Sequence, residues 1–444
     1  MKTPPIQNHT RLQPMIKFIL VSTSFCAITL SVSVLLLAKT TLLNVDHSPL
    51  HFSDPTTLNH LVFAIKSSAK LWPRRNEYTK LWWNHNNNNN GIMRGCVFVD
   101  NLPNNYTNSN SNYSSLLPPL CVSEDTSKFR YTYPDSWGGY RDAIRLTRLI
   151  KEIVAFNHSD VRWYVICDDD TVFLLENLLK ILSKYDHRLW YYVGAITETY
   201  EQAQYFSFEM AFGGGGFAIS APLAKVLAKD FDSCIERYHH LYGSDARFYS
   251  CIAELGISLT HEPGFHQVDL RGNIFAVEFD SQRVLQQTVC YDNKSSWTVS
   301  VSWGYAVQVF HNNMPLPEAL RVLKTFKQWK EARSAIAGIY NFNTREVHPD
   351  PCKRPSVFYL DKVAYGNKDF VISNYKKSFQ NCSHQMPTKK LEVIKVVTNK
   401  LDLDIKQLQS PRRHCCDVLP SSTGDMIMEV AIRECKDEEL IYMH

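Results

Sequence analysis

Short apolar runs alternate with segments of helical period along the middle of the chain. Leu61–Ile65 is an unbroken apolar run whose length and β-branched residues are typical of a buried strand. Residues 71–83 fit a helix with Pro73 in its first turn, where the missing N–H costs nothing. Cys96–Val99 is a second buried strand, ending on Asp100. A strand, a helix and a strand in this order predict an α/β layered domain.

A second helix and strand lead to a cluster of acids. Residues 141–156 place their apolar side chains near one helical face. Residues 161–167 are strongly strand-forming and stop abruptly at Asp168, Asp169 and Asp170. The pattern therefore predicts three consecutive carboxylates at the end of a core strand.

The N-terminal segment 18–38 contains no charged residue and is long enough to cross a bilayer as a helix. Three basic residues and no acid precede it, which predicts a cytoplasmic tail at 1–17 and a body on the far side of the membrane. A cleaved signal peptide is the alternative, but the run is long for one and lacks a small-x-small cleavage site. We expect a retained signal anchor, followed by a polar stem at 39–58.

Two features agree with a lumenal body in the secretory pathway. Beyond the apolar segment, Asn-x-Ser/Thr acceptor sites occur at five positions: Asn105, Asn112, Asn157, Asn293 and Asn381. Eleven cysteines lie beyond the apolar segment without CxxC spacing, so we expect disulfides in place of a zinc site. The odd number leaves at least one unpaired within the chain, and Cys167, in an apolar run, is expected to be a buried small hydrophobe.

The composition excludes one class of function. A net charge of +4 with 21% charged residues describes an ordinary globular protein. Nucleic-acid binding usually needs a concentrated basic face, which this sequence does not show. We therefore expect no nucleic-acid partner.

The acidic triplet needs a compensating positive charge if it is buried, because adjacent carboxylates repel one another. Side chains alternate along extended backbone, so Asp168 and Asp170 are expected to face one crevice. Oxygen ligands favour Mg²⁺ or Mn²⁺, which would bridge the phosphates of a nucleotide diphosphate. The alternative is a solvated acidic turn, but the position after a core strand favours a metal site.

Two further motifs are candidates for substrate contact. Phe212 is followed by four glycines, whose backbone can approach a ligand closely or can form a mobile loop. Asp245 precedes a predicted helix at 246–255, where a carboxylate is either an N-cap or a general base.

In combination, several motifs resemble the fringe-related β-1,3-glycosyltransferases, most closely their plant fringe-like branch. The resemblance covers residues 58–360 and rests on LVFAIKSSAKLW (61–72), YTKLWW (78–83), MRGCVFVD (93–100), WYVICDDDTVF (163–173), FGGGGFAIS (212–220), YGSDARFYSCIAELG (242–256), THEPGFHQ (260–267) and CYDNKSSWTVSVSWGYAVQVF (290–310).

The resemblance implies a GT-A type fold, a Rossmann-like mixed sheet flanked by helices, in a lumenal domain at 59–360. It also implies a UDP-sugar donor, Mn²⁺ and an inverting single displacement onto a glycan or glycoprotein acceptor. The expected setting is the Golgi membrane, as a single-pass type II protein. A C-terminal extension at 361–444 is expected to be peripheral, without an assigned role.

The same resemblance implies a role for each matching residue. Asp168, Asp169 and Asp170 correspond to the metal and donor motif, with Asp168 and Asp170 as metal ligands. The remaining candidates are the general base Asp245, the ligand-contacting Gly214 and Gly215, and the uridine-side Ser67 and Ser68.

One departure from the family pattern concerns the metal. A segment carrying a His-His pair, which would supply a further ligand, is missing where 271–275 runs almost directly into the late block. Either His261 or His266 substitutes, and we assign His266 as the ligand, or this form is impaired. Two alternatives to an active enzyme therefore stay open: a catalytically silent glycan-binding or scaffold protein, and a structural membrane protein whose acids are incidental.

Overall fold

The computed structural model describes residues 55–83, 92–103, 117–130, 141–197, 200–266, 275–323, 344–345, 347–366, 370–382, 388–420 and 426–436. The predicted tail, membrane anchor and most of the stem, the acceptor sites Asn105 and Asn112, and most of the shortened junction at 271–275 lie outside these residues. Within the described part of the chain, no helix combines the length and apolarity needed to cross a membrane.

A seven-stranded mixed sheet occupies the N-terminal half of the described chain. Its strands are β1 (Leu61–Lys66), β2 (Arg94–Val99), β3 (Leu120–Val122), β4 (Trp163–Asp168), β5 (Tyr192–Gly194), β6 (Phe217–Ser220) and β7 (Leu259–His261), in the spatial order β3-β2-β1-β4-β6-β5-β7. The strands are parallel except β6, which is antiparallel to both neighbours. The predicted α/β architecture is confirmed.

Helices cover both faces of this sheet. They are α1 (Trp72–Lys80), α2 (Arg141–Ala155), α3 (Leu175–Leu182), α4 (Tyr200–Tyr205), α5 (Ala221–Arg237) and α6 (Ser244–Ala253). One core lies where α2, α5 and α6 pack on the sheet, and a second lies on the other face, against α1 and α3. The near-continuous burial of β1 and β4 follows from this two-sided cover.

The C-terminal half forms an eight-stranded sheet. It contains β8 (Gln287–Asp292), β9 (Trp297–Ser302), β10 (Ala306–Phe310), β13 (Ser356–Tyr365), β14 (Phe370–Lys377), β15 (Val393–Asn399), β16 (Cys415–Leu419) and β17 (Ile427–Arg433), with the short pair β11 (Val322–Leu323) and β12 (Thr344–Arg345) separate from it. The short helices in this half are α7 (Val277–Asp280), α8 (Leu316–Ala319) and α9 (Ile405–Gln409).

The second sheet curls until its two outer strands approach each other. Its order is β16-β17-β15-β14-β13-β10-β9-β8, and Cys290 of outer strand β8 is disulfide-bonded to Cys416 of outer strand β16. Their Cα atoms are 5.4 Å apart. A third apolar core lies within this sheet.

The predicted domain boundary at residue 360 falls inside β13. Strands on both sides of it share one sheet, because β13 pairs with β10 on one edge and with β14 on the other. The end of the predicted enzyme domain and the start of the extension are therefore continuous in the structure.

Five disulfides join ten cysteines of the described chain: Cys96–Cys121, Cys234–Cys251, Cys290–Cys416, Cys352–Cys382 and Cys415–Cys435. Cys167 is the free cysteine among the described residues, and it is fully buried. The prediction that Cys167 is a buried small hydrophobe is confirmed.

Helix α3 connects the two sheets. Asn177 Nδ2 donates to the Ser281 carbonyl at 2.8 Å, and Lys180 Nζ donates to the Leu403 carbonyl at 3.2 Å. Just beyond the helix, the Lys184 carbonyl accepts from Gln409 Nε2 at 3.2 Å. The second sheet thus packs against an element of the first.

Candidate active site

The acidic triplet lies at the carboxyl end of the central strand pair. The parallel register of β1 and β4 sets Lys66 opposite Asp168. The next residue, Ser67, donates its backbone N–H to the Phe98 carbonyl of β2 at 2.9 Å. Three adjacent strands therefore end together at the edge where ligands bind in open α/β sheets.

Asp169 is the buried member of the triplet, with a side chain only 3% exposed. Its Oδ2 accepts from Ser67 Oγ at 2.5 Å, and its Oδ1 accepts from Arg75 Nη1 at 2.8 Å. The pKa of the Arg75 guanidinium is raised, and the hydrogen bond to Asp169 is the main cause. Because both carboxylate oxygens are engaged, Asp169 ties the turn after β4 to the end of β1 and to α1.

Asp170 is more open, with a side chain 42% exposed, and its Oδ2 lies 3.1 Å from the same Arg75 Nη1. One guanidinium nitrogen therefore sits between two carboxylates of the triplet. The turn beneath them is fixed by Trp82, whose Nε1 donates to the Thr171 carbonyl at 3.0 Å.

Asp168 is the member of the triplet that ends β4. Burial raises its pKa to about 7, against the lowering effect of Lys66, and the charges of Asp245 and Asp170 raise it further. A nearby cation would stabilise the ionised form of a carboxyl group whose pKa is raised in this way.

The four glycines form a tight turn beside the triplet. Gly213–Gly215 is a single 3₁₀ turn, and Thr171 Oγ1 donates to the Gly214 carbonyl at 3.0 Å. Gly216 has φ +77°, and a Cβ there would meet Phe173 Cζ at 2.7 Å. This position needs glycine for both its backbone conformation and its close packing.

Gly215 is close to the segment after β7. A Cβ on Gly215 would lie 3.0 Å from the backbone carbonyl oxygen of His266. That segment is anchored by Glu262, which is 4% exposed, donates its N–H to the Gly194 carbonyl at 2.8 Å, and bonds through its carboxylate to Lys184 and Tyr185.

Asp245 lies in the first turn of α6 and faces the glycine turn. Its Oδ2 accepts from the Gly213 N–H at 3.2 Å, and its Oδ1 accepts from Ser244 Oγ at 3.0 Å. Burial is the largest cause of its raised pKa, and these two hydrogen bonds partly oppose it. The carboxylate thus joins the glycine turn to α6 and lies near enough to Asp168 to raise that group's pKa as well.

The structure brings together most of the residues singled out from the sequence. Ser67, the triplet, Gly214, Gly215 and Asp245 lie together at the carboxyl end of β4, joined by the contacts described above. Ser68 is buried and its Oγ accepts from the Leu71 N–H at 3.2 Å, so it also starts the turn into α1.

The three-ligand metal site predicted from Asp168, Asp170 and His266 is not assembled. Among the described residues, no group of three or more His, Cys, Asp and Glu side chains is arranged to hold a metal ion. His266 approaches Gly215 through its backbone, and His261 ends β7 with an exposed side chain.

Two basic residues of the site were not singled out from the sequence. Lys66 directly follows the predicted strand Leu61–Ile65 and precedes Ser67, and it is the last residue of β1 in the structure. Arg75 lies in a predicted helix, and no local signal distinguishes it from Arg74. Its pairing with Asp169 spans 94 positions and depends on how α1 packs.

Comparison with known proteins adds a family match and a relative. A family model described as "Protein of unknown function, DUF604" matches residues 202–277 and 274–416, a little under half of the chain. A Mus musculus protein named beta-1,3-glucosyltransferase is 28% identical over 127 residues. That alignment covers 27% of this chain and 23% of the mouse protein, so the chain spans about a quarter of the relative's length.

These matches support a β-1,3-glycosyltransferase relationship. The matches do not identify the narrower plant fringe-like branch, which stays a prediction. A solved structure, "Mannosyltransferase PcManGT from Pyrobaculum calidifontis in complex with GDP-Man and Mn2+", is 14% identical, with 49% of this chain and 61% of that chain covered and a TM-score of 0.27. A likeness of that size says nothing about the activity of this chain.

Proposed function

We propose that this protein transfers a sugar from a UDP-sugar to a hydroxyl of a glycan or glycoprotein, with inversion and with β-1,3 linkage. The observation that carries the proposal is the convergence of Asp168 and Asp245. Asp168 ends a core strand, Asp245 begins a helix, and the Gly213 N–H bonded to Asp245 lies between the two elements. The relationship to β-1,3-glycosyltransferases supports the reaction class.

Asp245 is the proposed general base. The acceptor oxygen forms a bond to the anomeric carbon while the bond from that carbon to the diphosphate oxygen breaks. The acceptor proton passes to the Asp245 carboxylate, and the electron pair leaves with UDP. Burial makes this carboxylate more basic than an exposed one, which favours proton transfer.

The site fits a divalent cation held by few protein ligands. Burial and the charges of Asp245 and Asp170 raise the pKa of Asp168, and a cation beside this carboxyl group would relieve the repulsion. Mg²⁺ and related ions commonly bind one or two carboxylates plus substrate phosphates, so Asp168 and Asp170 are a sufficient protein contribution. A bound Mn²⁺ would neutralise the charge that develops on the leaving diphosphate.

The remaining parts of the donor site have roles set by their contacts. Asp169 is fully engaged with Ser67 and Arg75, so it holds the triplet's backbone in position. Gly214 and Gly215 are partly exposed beside the triplet, and without side chains their backbone would allow a sugar ring to approach closely. Ser67 is proposed to lie on the uridine side.

A lumenal setting belongs to the same proposal. Five disulfides are the pattern of a protein matured in an oxidising compartment. The apolar segment 18–38 is proposed as a type II signal anchor in the Golgi membrane, with the body in the lumen.

A catalytically silent glycan-binding protein is the second candidate. The pairing of Arg75 with Asp169 and Asp170 favours it, because a built-in cation satisfies two of the three acids. In that case UDP with Mn²⁺ would not bind.

The test uses the full chain purified in detergent. Transfer and hydrolysis are measured with a panel of UDP-sugars and Mn²⁺, with and without EDTA, and UDP–Mn²⁺ binding is measured by calorimetry. We expect metal-dependent turnover of at least one donor, lost in Asp170→Asn and kept in Asp417→Asn, an exposed aspartate paired with Arg433 on the second sheet. No binding of UDP–Mn²⁺, together with no turnover of any donor, would favour the silent protein.

A further inference from the structure

Arg75 presents its guanidinium beside the acidic triplet, and the transfer as proposed gives this side chain no role. Only residues 67–71 separate β1 from α1, so the first turns of α1 lie at the carboxyl edge of the sheet. Trp72 and Thr79 form the buried face of the helix. Arg75 follows Trp72 by three positions and shares that face, whereas Arg74 is exposed. The packing of α1 thus turns Arg75, and not Arg74, toward the triplet.

A single nitrogen of Arg75 accounts for its contacts with the triplet. Nη1 lies 2.8 Å from Asp169 Oδ1 and 3.1 Å from Asp170 Oδ2. Within the part of the chain that the structure describes, no acceptor contacts Nε or Nη2, and neither of these nitrogens is buried. The side chain as a whole is 39% exposed. One corner of the guanidinium is therefore fixed, and the edge that carries Nε and Nη2 reaches solvent.

Asp170 can serve Arg75 and a metal ion at the same time. Its Oδ2 is the atom near Arg75, and among the described residues Oδ1 makes no hydrogen bond or ion pair. A carboxylate with one oxygen beside an arginine keeps the other oxygen for a cation. Binding of Mn²⁺ by Asp170 therefore does not require Arg75 to leave.

The charges at this edge of the sheet favour a second cation for a bound donor. In the described ranges, no group of three or more side chains is arranged to hold a metal ion. A divalent ion held by two carboxylates is already neutralised by them, so the charge of a diphosphate needs a further positive group. Arginine suits this task, because its N–H groups form parallel hydrogen bonds to phosphate oxygens.

We propose that Arg75 binds the diphosphate of the sugar-nucleotide donor through Nε and Nη2, while Nη1 stays on Asp169. The assignment rests on the proposed function and adds a residue to its donor site. Arg75 holds the phosphate groups and offsets the charge that develops on UDP as the bond to the anomeric carbon breaks. Asp169 fixes the guanidinium in advance, which reduces the entropy lost when the donor binds.

The experiment compares UDP with uridine, which lacks the phosphates. The full chain in detergent is titrated with UDP and Mn²⁺ by calorimetry, and uridine binding is measured by ligand-detected NMR. We expect Arg75→Gln to weaken UDP binding at least about tenfold, the value of a charge-assisted hydrogen bond, and to change uridine binding less than about twofold. Arg74→Gln removes the same charge from the same helix and should bind both ligands as wild type does.

A second measurement distinguishes a phosphate contact from an effect on the metal ligands. The UDP titrations are repeated up to saturating Mn²⁺. Because a lost phosphate contact cannot be replaced by more metal, the difference between Arg75→Gln and wild type should persist at saturation. Arg75→Lys keeps the charge but not the paired N–H groups, so it should recover only part of the UDP affinity. Thermal unfolding of each variant shows that the titrations are made on folded protein.

The results that overturn the assignment differ from those that overturn the transfer itself. Wild-type UDP affinity in Arg75→Gln would remove Arg75 from the donor site and leave the proposed function standing. A loss that disappears at saturating Mn²⁺, or that is equal for UDP and uridine, would show that Arg75 only positions the triplet. No binding of UDP to the wild-type protein would overturn the proposed function, and this assignment with it.

Discussion

Ser67 and Asp169 are hydrogen-bonded side chain to side chain at 2.5 Å, although 102 positions separate them in the chain. The bond joins the residue after β1 to the middle acid of the turn after β4. Because Asp169 also binds Arg75, its carboxylate sets the geometry of its two neighbours, the proposed metal ligands.

Replacing Asp169 by Ala should therefore destabilise the first sheet. The change leaves Ser67 Oγ buried and removes the principal partner of Arg75, so we expect a loss of about 2 to 3 kcal/mol. The measurement is the midpoint of urea denaturation. Asp417→Ala is the control, since its partly exposed pair with Arg433 is worth about 0–1 kcal/mol. Equal shifts for the two variants would contradict the structural role of Asp169.

Asp245→Asn should reduce kcat by about 10² to 10⁴-fold with little change in the donor KM, as expected for loss of a general base. The base acts only when ionised, so wild-type turnover should fall as pH drops through the raised pKa of Asp245. The residual rate of Asp245→Asn should lose the part of this limb that comes from Asp245 and keep the part that comes from Asp168, whose pKa is raised to about 7. The measurement is kcat against pH with the best donor, and a parallel acidic limb in both proteins would rule out this role.

Gly216→Ala should destabilise the site more than an alanine at another glycine with positive φ. Gly216 and Gly256 have φ of +77° and +71°, but only a Cβ on Gly216 meets another group, Phe173 Cζ at 2.7 Å. Backbone strain costs about 1–2 kcal/mol at either site, and displacement of Phe173 adds to it at Gly216. Thermal unfolding and turnover of Gly216→Ala and Gly256→Ala make the comparison. Similar losses in the two variants would show that the contact with Phe173 is unimportant.

Because of Glu152, the free energy of unfolding should depend on pH between the pKa of this carboxyl group in the unfolded chain and its raised pKa in the folded protein. Burial, opposed by Arg148, raises the pKa of Glu152 from 4.5 to about 7. Between these values the folded protein binds more protons than the unfolded chain, so this contribution to stability is full below pH 4.5 and is lost as pH rises through about 7. The total change from this group is at most about 3–4 kcal/mol.

Glu152→Gln should flatten that part of the profile. Arg148 keeps its bonds to Asp232 and Glu124, at 2.8 and 2.6 Å, so the variant should remain folded. The melting temperature of both proteins is measured from pH 4.5 to 7.5. A wild-type slope that survives in the variant would assign it to other groups.

The strands and the acidic cluster of the first sheet were readable from sequence because their signals are local. The apolar runs before Lys66 and Asp168 predicted β1 and β4, and both strands occur there. The acids follow the second run directly, so their position at the sheet edge followed from the strand alone. The pairings of Asp169 with Ser67 and Arg75 are long-range, and nothing in the spacing of these residues indicates them.

The second sheet was harder to predict because its strands are only half-buried. Strands β15 (VIKVVTN) and β17 (IMEVAIR) alternate buried and partly exposed positions, but apolar residues on the open face weaken the period-two signal. Their pairing is parallel and skips β16, which no local pattern reveals. A boundary near residue 360 was therefore natural from sequence, although β13 runs through it.

The disulfide between Cys290 and Cys416 affects whether the outer strands of the second sheet can pair with other molecules. An open sheet of eight strands would present two ladders of unpaired N–H and C=O groups, which invite pairing with other chains. Drawing β8 and β16 together makes each outer strand a shield for the other. In a crowded compartment, the oxidised protein should resist edge-to-edge association that its reduced form would permit.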